Sequence, residues 1–344
     1  MRISHTFLLA ALCCVSFQTF AATHKTEEGA SYTYNGQPYL IRNAAADKST
    51  LSYTNRADAA TVVINNSTVD TTDYGTFTVT SNGYPIQIKN STVKGNNVIF
   101  DGKAVRLQSS STLEATNVTL AGGTGVWSGA QVIATNQVTV QETANTSSAS
   151  IQANVILLES TGSIKDTEFT ADTISISGSS LQIGGDNGND VSADSIVLES
   201  GTLSLAEAAL TETSITMNGG SLNILNNVEV GALTLNDGTL NFSGDYVIDL
   251  GNEDLILGDN VAITLNVDSL DNIEGITLFK TTGNVSGLDK LSVTFRDATG
   301  AEKEAAVSFS NGSVVTGSIP EPTTTTLSLL ALAGLAARRR RASR

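Results

Sequence analysis

The sequence of 344 residues predicts an all-β protein, folded as a right-handed parallel β-helix with about 20 residues per coil. Three observations predict this solenoid. Apolar and polar residues alternate with period two in many short segments, such as Asn117–Leu120 and Ser214–Met217, as they do in half-buried strands. These segments recur at a nearly constant spacing. Between residues 22 and 322, no segment sustains an apolar stripe at helical spacing.

The first apolar residue of each alternating segment marks the repeat. Successive markers lie 18 to 22 residues apart, and they are Val98, Val118, Val138, Ile156, Ile174, Ile196, Ile215, Leu233 and Leu255. In a parallel β-helix each strand stacks on its counterpart one coil away, about 4.8 Å along the axis. Val, Ile and Leu then form continuous interior columns. This type of sequence resembles the passenger regions of autotransporters and other surface β-helices.

A β-sandwich is the alternative fold. Asn-Gly and Asp-Gly pairs are the strongest short-range signal for hairpins, which a sandwich requires. The chain has seven of them, at Asn35, Asn82, Asp101, Asn187, Asn218, Asp237 and Asn311. The regular spacing of the markers favours the solenoid.

The sequence divides into five predicted segments. They are a signal peptide over 1–21, an N-terminal cap with irregular first coils over 22–90, regular coils over 91–269, a C-terminal cap over 270–315, and a linker with a sorting segment over 316–344. The caps are expected because the end coils of a solenoid must cover an open core.

The N-terminus has the pattern of a secretory signal peptide. Arg2 precedes an apolar stretch, and small residues lead to a predicted signal peptidase cleavage site after Ala21. Cys13 and Cys14 both lie within this segment. The mature chain is therefore expected to contain no disulfide bond and no thiol chemistry.

The C-terminus predicts a membrane stop. Pro320, Glu321 and Pro322 precede an apolar run that contains Leu327, Leu329, Leu330, Leu332 and Leu335, and the basic block Arg338, Arg339, Arg340 and Arg341 follows. Arginines at the end of an apolar segment stay on the cytoplasmic side of a membrane. The 15 residues from Thr323 to Ala337 would reach about 22 Å as a helix, against a hydrocarbon core of about 30 Å. This length favours transient anchoring.

The order of these parts over residues 320–341 resembles the PEP-CTERM sorting signal. The resemblance implies a hydrophobic sorting helix, export, recognition by a membrane-embedded exosortase, and removal of the tail. It also implies delivery to the cell surface or to the extracellular matrix.

Charge and composition exclude several classes of function. The predicted signal peptide and tail hold six of the 19 basic residues and none of the 34 acidic ones, so residues 22–322 carry a net charge of −21. Nucleic acid is therefore not an expected partner. The only histidines are His5 and His24, and His5 is lost with the signal peptide. This inventory excludes a His-based catalytic triad, a zinc site and a thiol nucleophile from the predicted coils.

Two acidic groups and one aromatic residue are candidates for a site. The glycine-rich loop 184–190, with Asp186, Asp190 and nearby Asp194, resembles a calcium-binding loop, and the alternative is an exposed insertion between coils. A second acidic group is a candidate polysaccharide-cleaving site, with a solvated acidic face as the alternative; it comprises Asp245, Asp249, Glu253, Asp254 and Asp259. Trp127 could stack on a sugar or plug a coil edge.

Together these observations predict an exported, non-catalytic surface or extracellular-matrix protein that uses no cofactor. Its expected partners are signal peptidase, an exosortase-type membrane enzyme, and an exopolysaccharide or other glycan. The alternative is a carbohydrate-active β-helix enzyme or a glycan-binding protein with an acidic groove, for which calcium is the candidate ion.

Overall fold

The computed structural model describes most of the chain between residues 18 and 317. The described residues are 18–20, 24–25, 32–34, 37–55, 62–82, 85–186, 188–271, 273–291 and 293–317. This part of the chain is all-β, and it forms a parallel β-solenoid of about ten turns spaced about 20 residues apart. The predicted all-β class, the parallel solenoid and its repeat of about 20 residues are therefore confirmed.

Each coil contributes strands to three faces, visited in the order face 1, face 2, face 3. Strands confined to face 1 are His24–Lys25, Thr68–Asp70, Ser150–Gln152, Ala209–Leu210, Val228–Val230, Ile248–Asp249 and Thr277–Lys280. Strands that run from face 1 into face 2 are Thr92–Gly102, Thr112–Leu120, Gln131–Glu142, Glu168–Ile176 and Asp190–Leu198. Strands confined to face 2 are Thr50–Asn55, Thr76–Ser81, Val155–Ser160, Ser214–Met217 and Val285–Ser286.

Two strands run from face 2 into face 3, Leu233–Phe242 and Leu255–Asn266. Strands confined to face 3 are Gln18–Phe20, Val62–Asn65, Ile86–Lys89, Val105–Gln108, Gly125–Trp127, Asn145–Ser147, Ile164–Lys165, Ser179–Ile183, Gly201–Leu205, Ser221–Ile224 and Val293–Arg296. Gln18–Phe20, which the sequence assigns to the signal peptide, pairs with Val62–Ile64 in the uncleaved chain.

The nine markers of the repeat occupy one interior column of face 2. Each is the register partner of the next, from Val98 opposite Val118 to Leu233 opposite Leu255. All nine are at most 1% exposed, so the column is a continuous apolar core. Alternation places every second residue of a strand in this core and its neighbours in solvent.

Antiparallel strands close both ends of the solenoid. Tyr32–Tyr34, Gln37–Ala44 and Thr50–Asn55 pair in an antiparallel manner at the N-terminal end. At the C-terminal end, Glu302–Ser310 pairs with Val293–Arg296 and with Ser313–Gly317. The exposed charges of Glu302, Lys303 and Glu304 lie at the start of Glu302–Ser310, where they discourage pairing with another sheet edge. A short 3-10 helix, Leu288–Lys290, precedes the final coil strand.

The β-sandwich alternative is wrong, because the stacked coils pair in parallel. Asn311–Gly312 does turn a hairpin between the last two strands. Asn218–Gly219 and Asp237–Gly238 instead lie at the corner between faces 2 and 3, where the chain bends without reversing. Residues with left-handed backbone serve hairpins and solenoid corners equally well, so the dipeptides alone do not distinguish the two folds.

A stack of glycines forms that corner in the later coils. Gly201, Gly220 and Gly238 have φ values of 90°, 77° and 108°, and each packs against the backbone of the coil before it. A Cβ atom at Gly220 would lie 2.6 Å from the carbonyl oxygen of Gly201. Neighbouring coils can approach at this corner because no side chain separates them.

We expect Gly220→Ala to lower the free energy of unfolding by about 2–4 kcal/mol, through the left-handed backbone and the clash with Gly201 together. Gly129→Ala is the matched control, since Gly129 also has a φ of 77° but has open space where the added methyl group would lie. The control should cost only about 1–2 kcal/mol. Chemical denaturation followed by circular dichroism measures both, and equal losses would contradict close stacking at Gly220.

Candidate functional site

A groove of about 710 Å³ follows the bend between faces 1 and 2. It extends over successive coils from Ile133 to Thr213. Its floor is a column of alanines, one per coil, at Ala134, Ala153, Ala171 and Ala193. Because an alanine side chain ends at Cβ, the bend stays concave and open to solvent.

Polar residues flank this floor on one side. Asn154, Asp172 and Asp194 each directly follow a floor alanine, and Glu212 lies on the next coil. Asp172 and Asp194 occupy equivalent positions, because Ala171 pairs with Ala193 before them and Thr173 pairs with Ser195 after them. The two carboxylates therefore project from backbones about 4.8 Å apart. All four side chains are exposed.

The sequence did not predict Asp172 or Glu212 as site residues. A signal was present in the repeated dipeptides Ala153–Asn154, Ala171–Asp172 and Ala193–Asp194, which keep the spacing of the coils. An alanine followed by a polar residue looks like ordinary alternation in a single strand. It becomes a groove only when several coils stack.

The structure separates the three predicted calcium ligands. Asp194 lines the groove, whereas Asp190 begins the same strand four residues earlier, about 13 Å away along an extended chain. Asp186 lies in the turn before that strand. Within the described ranges, no group of three or more His, Cys, Asp or Glu side chains is placed to hold a metal ion. Calcium binding by this chain stays a prediction.

The loop that contains Asp186 has a structural anchor in Asn189. Asn189 is fully buried, and its Nδ2 donates to the carbonyl oxygens of Gln182 at 2.8 Å and of Ile164 at 3.2 Å. Its Oδ1 accepts a hydrogen bond from the backbone N of Thr167 at 3.1 Å. The side chain therefore joins its own coil, at Gln182, to backbone groups of the preceding coil at Ile164 and Thr167.

The second acidic group does not form one site. Asp249 borders a cavity of about 420 Å³, and Asp245 borders a separate one of about 550 Å³ with Arg296. Asp254 accepts hydrogen bonds from the backbone N and the Nδ2 of Asn284, at 2.8 and 3.0 Å. Glu253 and Asp259 are exposed. The five carboxylates thus have four different environments.

Asp249 has two charged neighbours in its own column. It is the register partner of Glu229 on one side and of Lys280 on the other, and all three border the 420 Å³ cavity. The fold thereby places a basic residue beside Asp249, although residues 166–279 contain no Lys or Arg. A polysaccharide-cleaving site would find both acidic and basic groups in this column. Enzymatic activity stays a prediction.

Trp127 lies on face 3, outside both acidic sites. Its ring is half-buried and lies over Gly125, which has no side chain to displace it. The Arg106 guanidinium carbon is 5.1 Å from the ring centroid, a cation–π distance. The ring therefore covers Gly125 of its own coil and contacts Arg106 of the preceding coil.

The predicted sorting residues lie outside the described residues. These are the motif Pro320–Pro322, the leucines of the apolar run, the arginine block Arg338–Arg341 and the cleavage site at Ala21. Among the residues that the structure does describe, no helix is long and apolar enough to cross a membrane. Comparison with protein-family models, curated proteins and solved structures finds no match to this chain.

Proposed function

We propose that this chain is an exported, non-catalytic protein of the cell surface or extracellular matrix, delivered by its C-terminal sorting segment. The observation that supports it most is the arrangement of the chain: a single β-solenoid lies between an N-terminal segment with signal-peptide features and a C-terminal segment with PEP-CTERM features. Signal peptidase and an exosortase-type enzyme are the processing partners in this proposal.

The solenoid suits an extracellular structural role. Ten coils at about 4.8 Å per coil give a stiff body about 50 Å long, held without disulfides by apolar columns and backbone ladders. Many of its polar side chains also bind neighbouring coils. Ser91 Oγ accepts from the backbone N of Ser67 at 3.1 Å, and Ser111 Oγ from that of Ser91 at 3.3 Å. We propose a right-handed coil, the hand that parallel crossover connections favour.

Cell fractionation tests this function. The full-length chain is produced in a cell that has an exosortase, and the protein is followed through cytoplasm, membrane, surface and medium. The expected result is a shortened protein in the surface or medium fraction. Recovery of the intact chain from the cytoplasm would contradict the proposal.

A further inference from the structure

We propose that the groove between faces 1 and 2 binds a linear polysaccharide with free amino groups, of the glucosamine-polymer class. The inference deepens the proposed function by naming a ligand. It rests on that function only for the location of the ligand, which is outside the cell. The binding site is the stretch of groove lined by Asn154, Asp172, Asp194 and Glu212.

The charge of the groove selects against other glycans. Three carboxylates line it, no Lys or Arg does, and residues 166–279 contain no basic residue at all. An anionic polysaccharide would therefore be repelled. Sites for neutral sugars usually offer an aromatic ring for stacking, and no aromatic side chain lines this groove. A cationic chain is the ligand that its charge complements.

The polar groups of the groove are also free to accept a ligand. In the coils that precede it, asparagine side chains bond one another from coil to coil: Asn117 Nδ2 donates to Asn97 and Asn136 Nδ2 donates to Asn117, at 2.8 and 2.7 Å. Asn154, Asp172 and Asp194 each lie one residue before the continuation of this column, which consists of Val155, Thr173 and Ser195. Across the described part of the chain, none of these three side chains makes a hydrogen bond or an ion pair with the protein. The asparagine ladder therefore ends at Asn136, and the polar side chains of the groove stay available to a ligand.

The spacing of these groups fits a polymer. Each coil presents one carboxylate or amide, about 4.8 Å from the next. An extended chain of β-1,4-linked glucosamine rises by a similar distance per sugar and turns by about half a revolution, so the ammonium groups on one edge recur at every second sugar, close to the span of two coils. One edge of such a chain could form charge-assisted hydrogen bonds at alternate coils, for example at Asp172 and Glu212, and these bonds are stronger than neutral ones.

Calorimetric titration of the full-length protein with a glucosamine hexamer tests the proposal at low ionic strength. We expect measurable binding that weakens at least about tenfold in the double variant Asp172→Asn/Asp194→Asn, because a charge-assisted pair is lost in either register of the ligand and the groove loses two negative charges. The matched control is Asp101→Asn/Glu159→Gln, which removes the same charge from exposed positions on the outer side of face 2. It should change the affinity by less than about twofold. Circular dichroism of each variant verifies the fold.

Three results would overturn the proposal. One is equal binding of the fully N-acetylated hexamer, which lacks the ammonium groups. Another is an equal loss of affinity in the control variant, which would indicate attraction by net charge alone. The third is equally tight binding of a lysine hexamer, which would assign the groove to basic peptides. None of these results bears on export or trimming, so this proposal and the proposed function can fail separately.

Discussion

Replacing Phe242 with alanine is expected to lower the free energy of unfolding by about 3–5 kcal/mol. Phe242 is fully buried in an interior column of face 3, between its register partners Ile224 and Leu265. Its ring packs edge-to-face against Phe279, with centroids 6.1 Å apart. Truncation would leave a cavity that the regular backbone stacking cannot close. The shift in the denaturation midpoint measures the loss.

Phe309→Ala is the control for this variant. Phe309 lies on the C-terminal antiparallel strand and is 41% exposed, so its truncation should change stability by no more than about 0.5 kcal/mol. Equal effects of the two substitutions would contradict the placement of Phe242 in the core. Because each coil contacts only its neighbours, the damage at Phe242 should also be greatest in adjacent coils, as measured by hydrogen exchange.

Replacing Arg338–Arg341 with alanine is expected to abolish C-terminal trimming in most of the exported protein. In the proposed function these arginines hold the short apolar segment in the membrane, because their charge resists transfer across it. Without the arginines, an apolar segment of about 22 Å is too short to stay anchored in the membrane. The chain should then leave the membrane untrimmed. Immunoblotting of the surface and medium fractions for a C-terminal epitope measures the retained tail.

Arg344→Ala is the matched control, since Arg344 lies beyond the arginine block and is separated from it by Ala342 and Ser343. Trimming of this variant should match that of the unaltered chain. Normal trimming after loss of the whole block would remove the sorting proposal, whereas the solenoid would be unaffected.

The repeat could be predicted because it rests on local chemistry. Alternation around Val118 or Ile174 requires only a strand with one buried side, and the constant spacing then implies stacking. The assignment of strands to faces could not be predicted in the same way. Thr92–Val93 and Thr239–Leu240 look alike in sequence, yet the first lies on face 1 and the second on face 3. Corner geometry decides this, and it is set by the stacked coils.

The groove illustrates the same limit for function. Asp194 was predicted with Asp190 because the two are close in sequence, but an extended strand separates them. Asp172 and Asp194 lie 22 residues apart in sequence and one coil apart in space. Only the register between coils brings them together.

The most direct test of the account is the intact mass of the protein recovered from outside the cell. We expect a species well below the 35.7 kDa of the whole chain, beginning at Ala22 and ending near Pro320–Pro322, with any covalent addition at its new C-terminus visible as extra mass. A species of 35.7 kDa outside the cell, with both ends retained, would contradict a solenoid that is exported and then released from its sorting tail.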